Sequence, residues 1–272
     1  MPVRSTRRGL LAAAGVVGAA AVVGRAQLAG AATTVHVYVA GDSTASIYTT
    51  AQAPRAGWGQ ALPVFLTSAA SVVDAAKSGR SSKSFVDEGW LAQILAKITS
   101  GDILLISFGH NDEKADAALH TDPETTYKQY LSRYIDGARG KGAKPVLVTP
   151  VERRHFGSAG VITPSHGQYP AAMRELAAAK GVPLVDLTAS STVLWNTLGP
   201  EGTKTCFLYL NPGQSPNYPN GVQDDTHFKA HGAIEVARLV ATPLKNQGVL
   251  PPADFRRLTT TNLADSLIVW PA

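Results

Sequence analysis

Ile103 to Phe108 is apolar at every position except Ser107, and it limits what this chain can fold into more than any other stretch. So short and continuous an apolar run reads as a strand covered on both faces, which places it inside a parallel sheet between helices. The flanking chain agrees. Val35, Val37 and Val39 alternate with His36 and Tyr38 as a first strand, and Ser71 to Ala76, Pro145 to Val148 and Val182 to Asp186 supply three more. Helical apolar spacing marks Trp58 to Leu66, Leu91 to Ile98, a helix opened by Asp122-Pro123-Glu124 and running to Ala138, then Pro170 to Lys180, Ala189 to Leu198, and a last helix from His227 to Asn246. Strand-helix alternation without a hairpin signal predicts an α/β fold, a flavodoxin-like three-layer α/β/α sandwich with a central parallel sheet. Gly199 to Gln223, with four prolines, is expected to be an ordered surface loop, and the apolar patch Leu267 to Trp270 to pack on the body.

The N-terminus stands apart from this pattern. Thr6-Arg7-Arg8-Gly9-Leu10-Leu11 leads into an Ala/Gly/Val-rich run that ends near Ala29-Gly30-Ala31, the layout of a twin-arginine export signal over residues 1–32. A retained membrane anchor is the competing reading, but the run is shorter than the ~20 residues needed to span a bilayer. Residues 33–272 then form a single domain, secreted by the twin-arginine route. Arg4, Arg7, Arg8 and Arg25 belong to the signal, and without them 21 basic residues face 20 acidic ones. The basic character of the full chain is therefore no argument for nucleic acid. Cys206 is the only cysteine, so no disulfide can form within the chain.

Small-residue turns follow the strands: Gly41-Asp42-Ser43, then Lys77-Ser78-Gly79-Arg80-Ser81-Ser82, then Gly109-His110-Asn111-Asp112. Ligands of open α/β sheets bind at these carboxyl ends, which makes Ser43 a candidate nucleophile. Taken alone the signal is weak, because Gly-Asp-Ser is a common turn tripeptide and without partners the turn reading prevails. A serine hydroxyl needs a histidine base oriented by a carboxylate, and Asp224-Asp225-Thr226-His227 offers one. The three-residue offset lets a turn present Asp224 and His227 on one side, and Asp225 is the competing orienter. The backbone N–H groups of Ser43 and Gly79 and the side-chain amide of Asn111 are candidate donors to a developing oxyanion. Each has an ordinary structural reading too: a turn for Gly79, a cap for Asn111, a helix start for His227.

Together, in order and spacing, these four blocks resemble those of the SGNH (GDSL) hydrolases. Gly41-Asp42-Ser43-Thr44, the run Gly79-Arg80-Ser81-Ser82-Lys83-Ser84-Phe85, Val148-Thr149-Pro150-Val151 followed by Arg153-Arg154, and Thr226-His227-Phe228 look like the rhamnogalacturonan acetylesterase branch, which often has glycine where this chain has Asp225. The resemblance covers essentially all of residues 33–272. It implies a serine carbohydrate esterase that removes O-acetyl groups from plant cell-wall polysaccharide, most simply acetylated rhamnogalacturonan or pectin. No cofactor, metal or membrane partner is implied, and a monomer is expected. Catalysis falls to Ser43, His227 and Asp224, the oxyanion hole to Ser43, Gly79 and Asn111, and loop support to Asp42 and His110. Arg80, Arg153 and Arg154 are candidates to meet galacturonate carboxylates, with solvated surface arginine as the competing reading. Three rivals remain: an esterase for acetylated xylan, small acyl esters or lipids; a metal-dependent hydrolase using Asp224, His227 and His231; and a non-catalytic carbohydrate-binding domain.

Overall fold

The computed structural model describes residues 34–272, so the export signal expected over residues 1–32 lies outside the described residues. In chain order the elements are β1 (Val35–Gly41), β2 (Arg55–Ala56), α1 (Trp58–Ala61), β3 (Ala70–Asp74), α2 (Ser82–Asp87), α3 (Trp90–Leu95), β4 (Ile103–Ser107), α4 (Lys128–Gly140), β5 (Lys144–Val148), α5 (Tyr169–Lys180), β6 (Leu184–Val185), α6 (Leu187–Gly202), β7 (Phe207–Leu210), β8 (Val222–Lys229) and α7 (Ala230–Asn246). The main sheet is parallel, in the order β3-β1-β4-β5-β6. That is the flavodoxin-like winding expected from the alternation of strands and helices.

Its two faces are separated by the pleat of the strands. Val37, Val39, Ile103, Leu105, Val146 and Val148 point into one core, closed by α1, α6 and α7 through residues such as Trp58, Trp195 and Ile234. The alternate residues Tyr38, Ala40, Leu104, Ile106 and Leu147 point into the other, closed by α2 to α5 through Phe85, Leu91, Leu131 and Met173. Every residue of β4 is buried. Each large side chain buried in this way is worth roughly 1.5–3 kcal/mol relative to exposure, so the order of the sheet is held from both sides.

Four expectations change. Trp58 to Leu66 is one α-turn followed by a 3-10 turn, Leu62–Phe65, where Pro63 supplies no N–H to continue the helix. The chain does contain a hairpin: β7 and β8 pair antiparallel and, with β2, form a second, three-stranded sheet. The expected surface loop is therefore confined largely to the connection between them. As a result His227 lies on β8, and the last helix begins three residues later at Ala230. The tail packs as expected, with Ile268 buried and the Trp270 indole N–H donating to the Arg55 carbonyl at 2.8 Å.

β8 is anchored by its aromatic residue. Phe228 is fully buried and stacks on Phe207 with centroids 5.1 Å apart, while Phe207 meets Trp195 edge-on at 4.9 Å. Removing Phe207 leaves a cavity beneath the strand that carries His227. Phe207→Ala is expected to cost about 3–5 kcal/mol in urea unfolding, and to loosen the position of His227 in the fraction that remains folded, seen as broadened imidazole resonances in NMR.

Candidate active site

Ser43 stands at the apex of the turn that leaves β1. Asp42 Oδ1 accepts both the Thr44 N–H and the Thr44 hydroxyl at 2.8 Å, and the Asp42 carbonyl accepts the Ala45 and Ser46 N–H groups. The Tyr48 hydroxyl donates to the Ser43 carbonyl at 2.6 Å. These bonds tie the backbone on both sides of the serine and leave its hydroxyl facing a cleft of about 320 Å³.

The partner arrives from a bulge. Leu208 pairs with Asp224 but the preceding Phe207 pairs with Phe228, so Asp225, Thr226 and His227 are extra residues on β8. On a regular strand, residues three apart face opposite ways; the bulge cancels that alternation. Asp224 Oδ1 accepts the N–H groups of Thr226 and His227 at 2.8 and 3.0 Å, while Oδ2 lies 2.7 Å from His227 Nδ1. His227 Nε2 is 2.8 Å from Ser43 Oγ. Burial alone would raise the Asp224 carboxyl, but the hydrogen bond and charge of His227 and the two backbone N–H groups outweigh it and hold the carboxyl well below the usual range. An ionised Asp224 can only accept, so the Nδ1 proton donates to it and Nε2 is left to accept from Ser43.

Asp225 turns away. Its Oδ1 accepts from the Tyr209 hydroxyl at 2.5 Å and from Arg154 at 3.0 Å, and Arg154 also donates to Thr203 and to the Pro200 carbonyl. The structure thus brings Asp224, and not Asp225, to His227.

Gly79 and Asn111 line the same cleft. Gly79 has φ +80°, a left-handed conformation that glycine adopts without strain. Among the described residues, neither its N–H nor that of Ser43 donates to a protein acceptor. Asn111 gives one amide hydrogen to the Arg80 carbonyl at 2.9 Å, which leaves the other available. Asp112 fastens these two loops together. Its carboxyl accepts the Ser82 N–H at 3.1 Å, the Ser82 hydroxyl, and the Thr121 hydroxyl at 3.1 Å. His110 forms part of the cleft wall, packed edge-on against His166 at 4.5 Å, and burial drives its imidazole well below the ordinary histidine range, so the ring is neutral.

The three arginines do not share one position. Arg153 lines the cleft but is paired with Glu113 at 2.5 Å. Arg80 points to Glu88 at 2.8 Å and Arg154 to Asp225; neither side chain lines the cleft. Arg55 and Lys114 do line it, and sequence reading did not single them out. Lys114 lies three residues after Asn111, a spacing that could have flagged it. Arg55 has no such signal, because its place depends on its pairing with Lys229 across β2 and β8. His231 lines a separate cavity beside α6 and α7. Among the described residues, no group of three His, Cys, Asp or Glu side chains could hold a metal ion, so the ligand set Asp224, His227 and His231 does not assemble.

The GDSL-like lipase/acylhydrolase family model matches residues 39–233. The rhamnogalacturonan acetylesterase RhgT of Bacillus subtilis (strain 168) is 46% identical over 215 residues, covering 79% of this chain and 91% of that protein. From the same organism, the protein described as "Probable rhamnogalacturonan acetylesterase YesY" is 42% identical over 215 residues, covering 79% and 94%. Among solved structures, the YxiM protein of Bacillus subtilis superposes with a TM-score of 0.67 at 31% identity, over 80% of this chain and 58% of that one.

Burial pushes the Asp112 carboxyl up to about 7, against the bonds it accepts from Ser82 and Thr121. Its folded pKa lies above the unfolded value of about 3.9, so the folded state binds the extra proton. Its contribution to stability is therefore full below about pH 4 and is lost as pH rises to about 7. Thermal unfolding between pH 4 and 8 should show a shallower decline in Asp112→Asn than in the unaltered protein.

Proposed function

The chain belongs to the GDSL-like lipase/acylhydrolase family, and on that premise we propose that it is a secreted acetylesterase that removes O-acetyl groups from rhamnogalacturonan. The observation that carries this reading is the continuous chain Ser43–His227–Asp224, with links of 2.8 and 2.7 Å, opening onto a cleft that also presents Gly79 and Asn111. The relative named rhamnogalacturonan acetylesterase at 46% identity, and the one named "Probable rhamnogalacturonan acetylesterase" at 42%, support the choice of substrate.

In the reaction, Ser43 Oγ attacks the acetyl carbonyl carbon while His227 Nε2 takes its proton. The tetrahedral oxyanion is received by the N–H groups of Ser43 and Gly79 and by the free amide hydrogen of Asn111. Collapse breaks the bond to the sugar oxygen, which takes the proton from His227 and leaves an acetyl-serine. Water then attacks, again through His227, and releases acetate. Throughout, the Asp224 carboxylate fixes the imidazole tautomer and stabilises the imidazolium. No step calls on a cofactor. We read residues 1–32 as a twin-arginine export signal and place the working enzyme outside the cell, where its polymeric substrate lies.

Acetate release from acetylated rhamnogalacturonan, acetylated xylan and 4-nitrophenyl acetate tests both chemistry and substrate. Ser43→Ala should abolish release from all three, and a chelator should leave it intact. Activity retained in Ser43→Ala would overturn the mechanism, and a preference for xylan would overturn the substrate. Asn111→Ala should lower kcat by about 10²- to 10³-fold, as expected for loss of one oxyanion donor, with a much smaller change in KM.

A further inference from the structure

The cations at and around the cleft fall into two classes. Arg80, Arg153 and Arg154 each already face a carboxylate, on Glu88, Glu113 and Asp225. Arg55 and Lys114 line the cleft beside Ser43 and, among the described residues, neither is within ion-pair distance of an acid. Asp224 is paired with His227 and Glu113 with Arg153, while the Asp42 carboxyl is engaged by the Thr44 N–H and hydroxyl. The cleft therefore carries two positive charges that the protein leaves unneutralised.

Arg55 is also held in position for a ligand. Its guanidinium carbon lies 4.4 Å over the Tyr48 ring, and its Nε is shielded from solvent with no acceptor. Its backbone is tied to β8 next to His227 and to the indole N–H of Trp270. The Tyr48 on which it stacks is the residue whose hydroxyl holds the Ser43 carbonyl. Lys114 stands on the Asn111 loop, with its own N–H bonded to the Asn111 carbonyl at 3.2 Å. An uncharged ester gains nothing from two such groups. An anion gains charge-assisted hydrogen bonds from both, with the planar fork of Arg55 suited to a carboxylate.

We propose that Arg55 and Lys114 are the specificity-determining residues of this cleft, and that they hold a carboxylate of an acidic sugar in the bound substrate. This rests on the acetylesterase reading and transfers to Arg55 and Lys114 the role first assigned to Arg80, Arg153 and Arg154. Substrate charge is thereby read within one side chain of the nucleophile.

The test separates the anion site from the identity of the polymer. Hydrolysis of 4-nitrophenyl acetate is measured with unacetylated oligogalacturonate as inhibitor, and again with the same oligomer methyl-esterified. In the unaltered protein the acid form should inhibit at a concentration lower by about tenfold or more, the scale of a charge-assisted hydrogen bond, and the margin should shrink as salt is raised. Arg55→Gln and Lys114→Gln should each erase most of that margin. Each should also raise KM for acetylated rhamnogalacturonan by a factor at least several times larger than for 4-nitrophenyl acetate. Equal inhibition by the two oligomers, or a margin that survives both substitutions, would sink the proposal. Lys114 is exposed, so Lys114→Gln decides alone if Arg55→Gln does not fold. If the unaltered protein releases no acetate from rhamnogalacturonan, the substrate reading fails while the inhibition margin still decides the anion site.

Discussion

Two-sided burial of β1 and β4 is the constraint from which the rest follows. Because Val37 and Val39 enter one core while Tyr38 and Ala40 enter the other, β1 can be neither flipped nor slid without exposing one set to water. Its carboxyl end, and with it Ser43, must then emerge at the same edge as the end of β4, where Asn111 follows. Apolar packing alone sets this alignment, over residues that take no part in any chemistry. The polar bonds of Asp42, Tyr48 and Asp112 only refine what the packing has already brought within reach.

That part of the architecture was legible because it is written in periodicity. Val35 to Val39 alternates and Ile103 to Phe108 does not, and those two patterns are sufficient for a buried parallel sheet. The second sheet was not legible for an equally physical reason. Val222 to Lys229 contains Asp224 and Asp225, residues that strands disfavour, and its partner β7 lies within a proline-rich stretch that reads as loop. The Asp224–His227 offset was recognisable as a pair on one side, yet a bulge creates that geometry where a turn was expected. The arginines show the limit most clearly. Arg154 meets Asp225 across 71 residues of chain, and no local pattern tells a cation with a distant partner from one without.

The electrostatics of the cleft follow the same division between what is satisfied internally and what is not. Arg153, Glu113 and His166 form a cluster at the cleft wall that is satisfied within itself, and Asp224 and His227 are matched to each other. Groups satisfied in this way give stiffness and little recognition, because a ligand would have to break existing bonds to engage them. What is left free at this cleft is the N–H groups of Ser43 and Gly79, one amide hydrogen of Asn111, and two cations that, among the described residues, pair with no acid.

The bond between Ser43 and His227 joins residues 184 positions apart, and that separation bears on how the molecule is made. Contacts so distant in the chain form late, after local pairing such as β1 with β3 has already repaid its entropy. A chain emerging from synthesis holds Ser43 early but lacks His227 until β8 has been added. β8 is the last strand of either sheet in chain order, so any fragment that stops short of it, however well its main sheet has begun to form, holds Ser43 without His227 and Asp224.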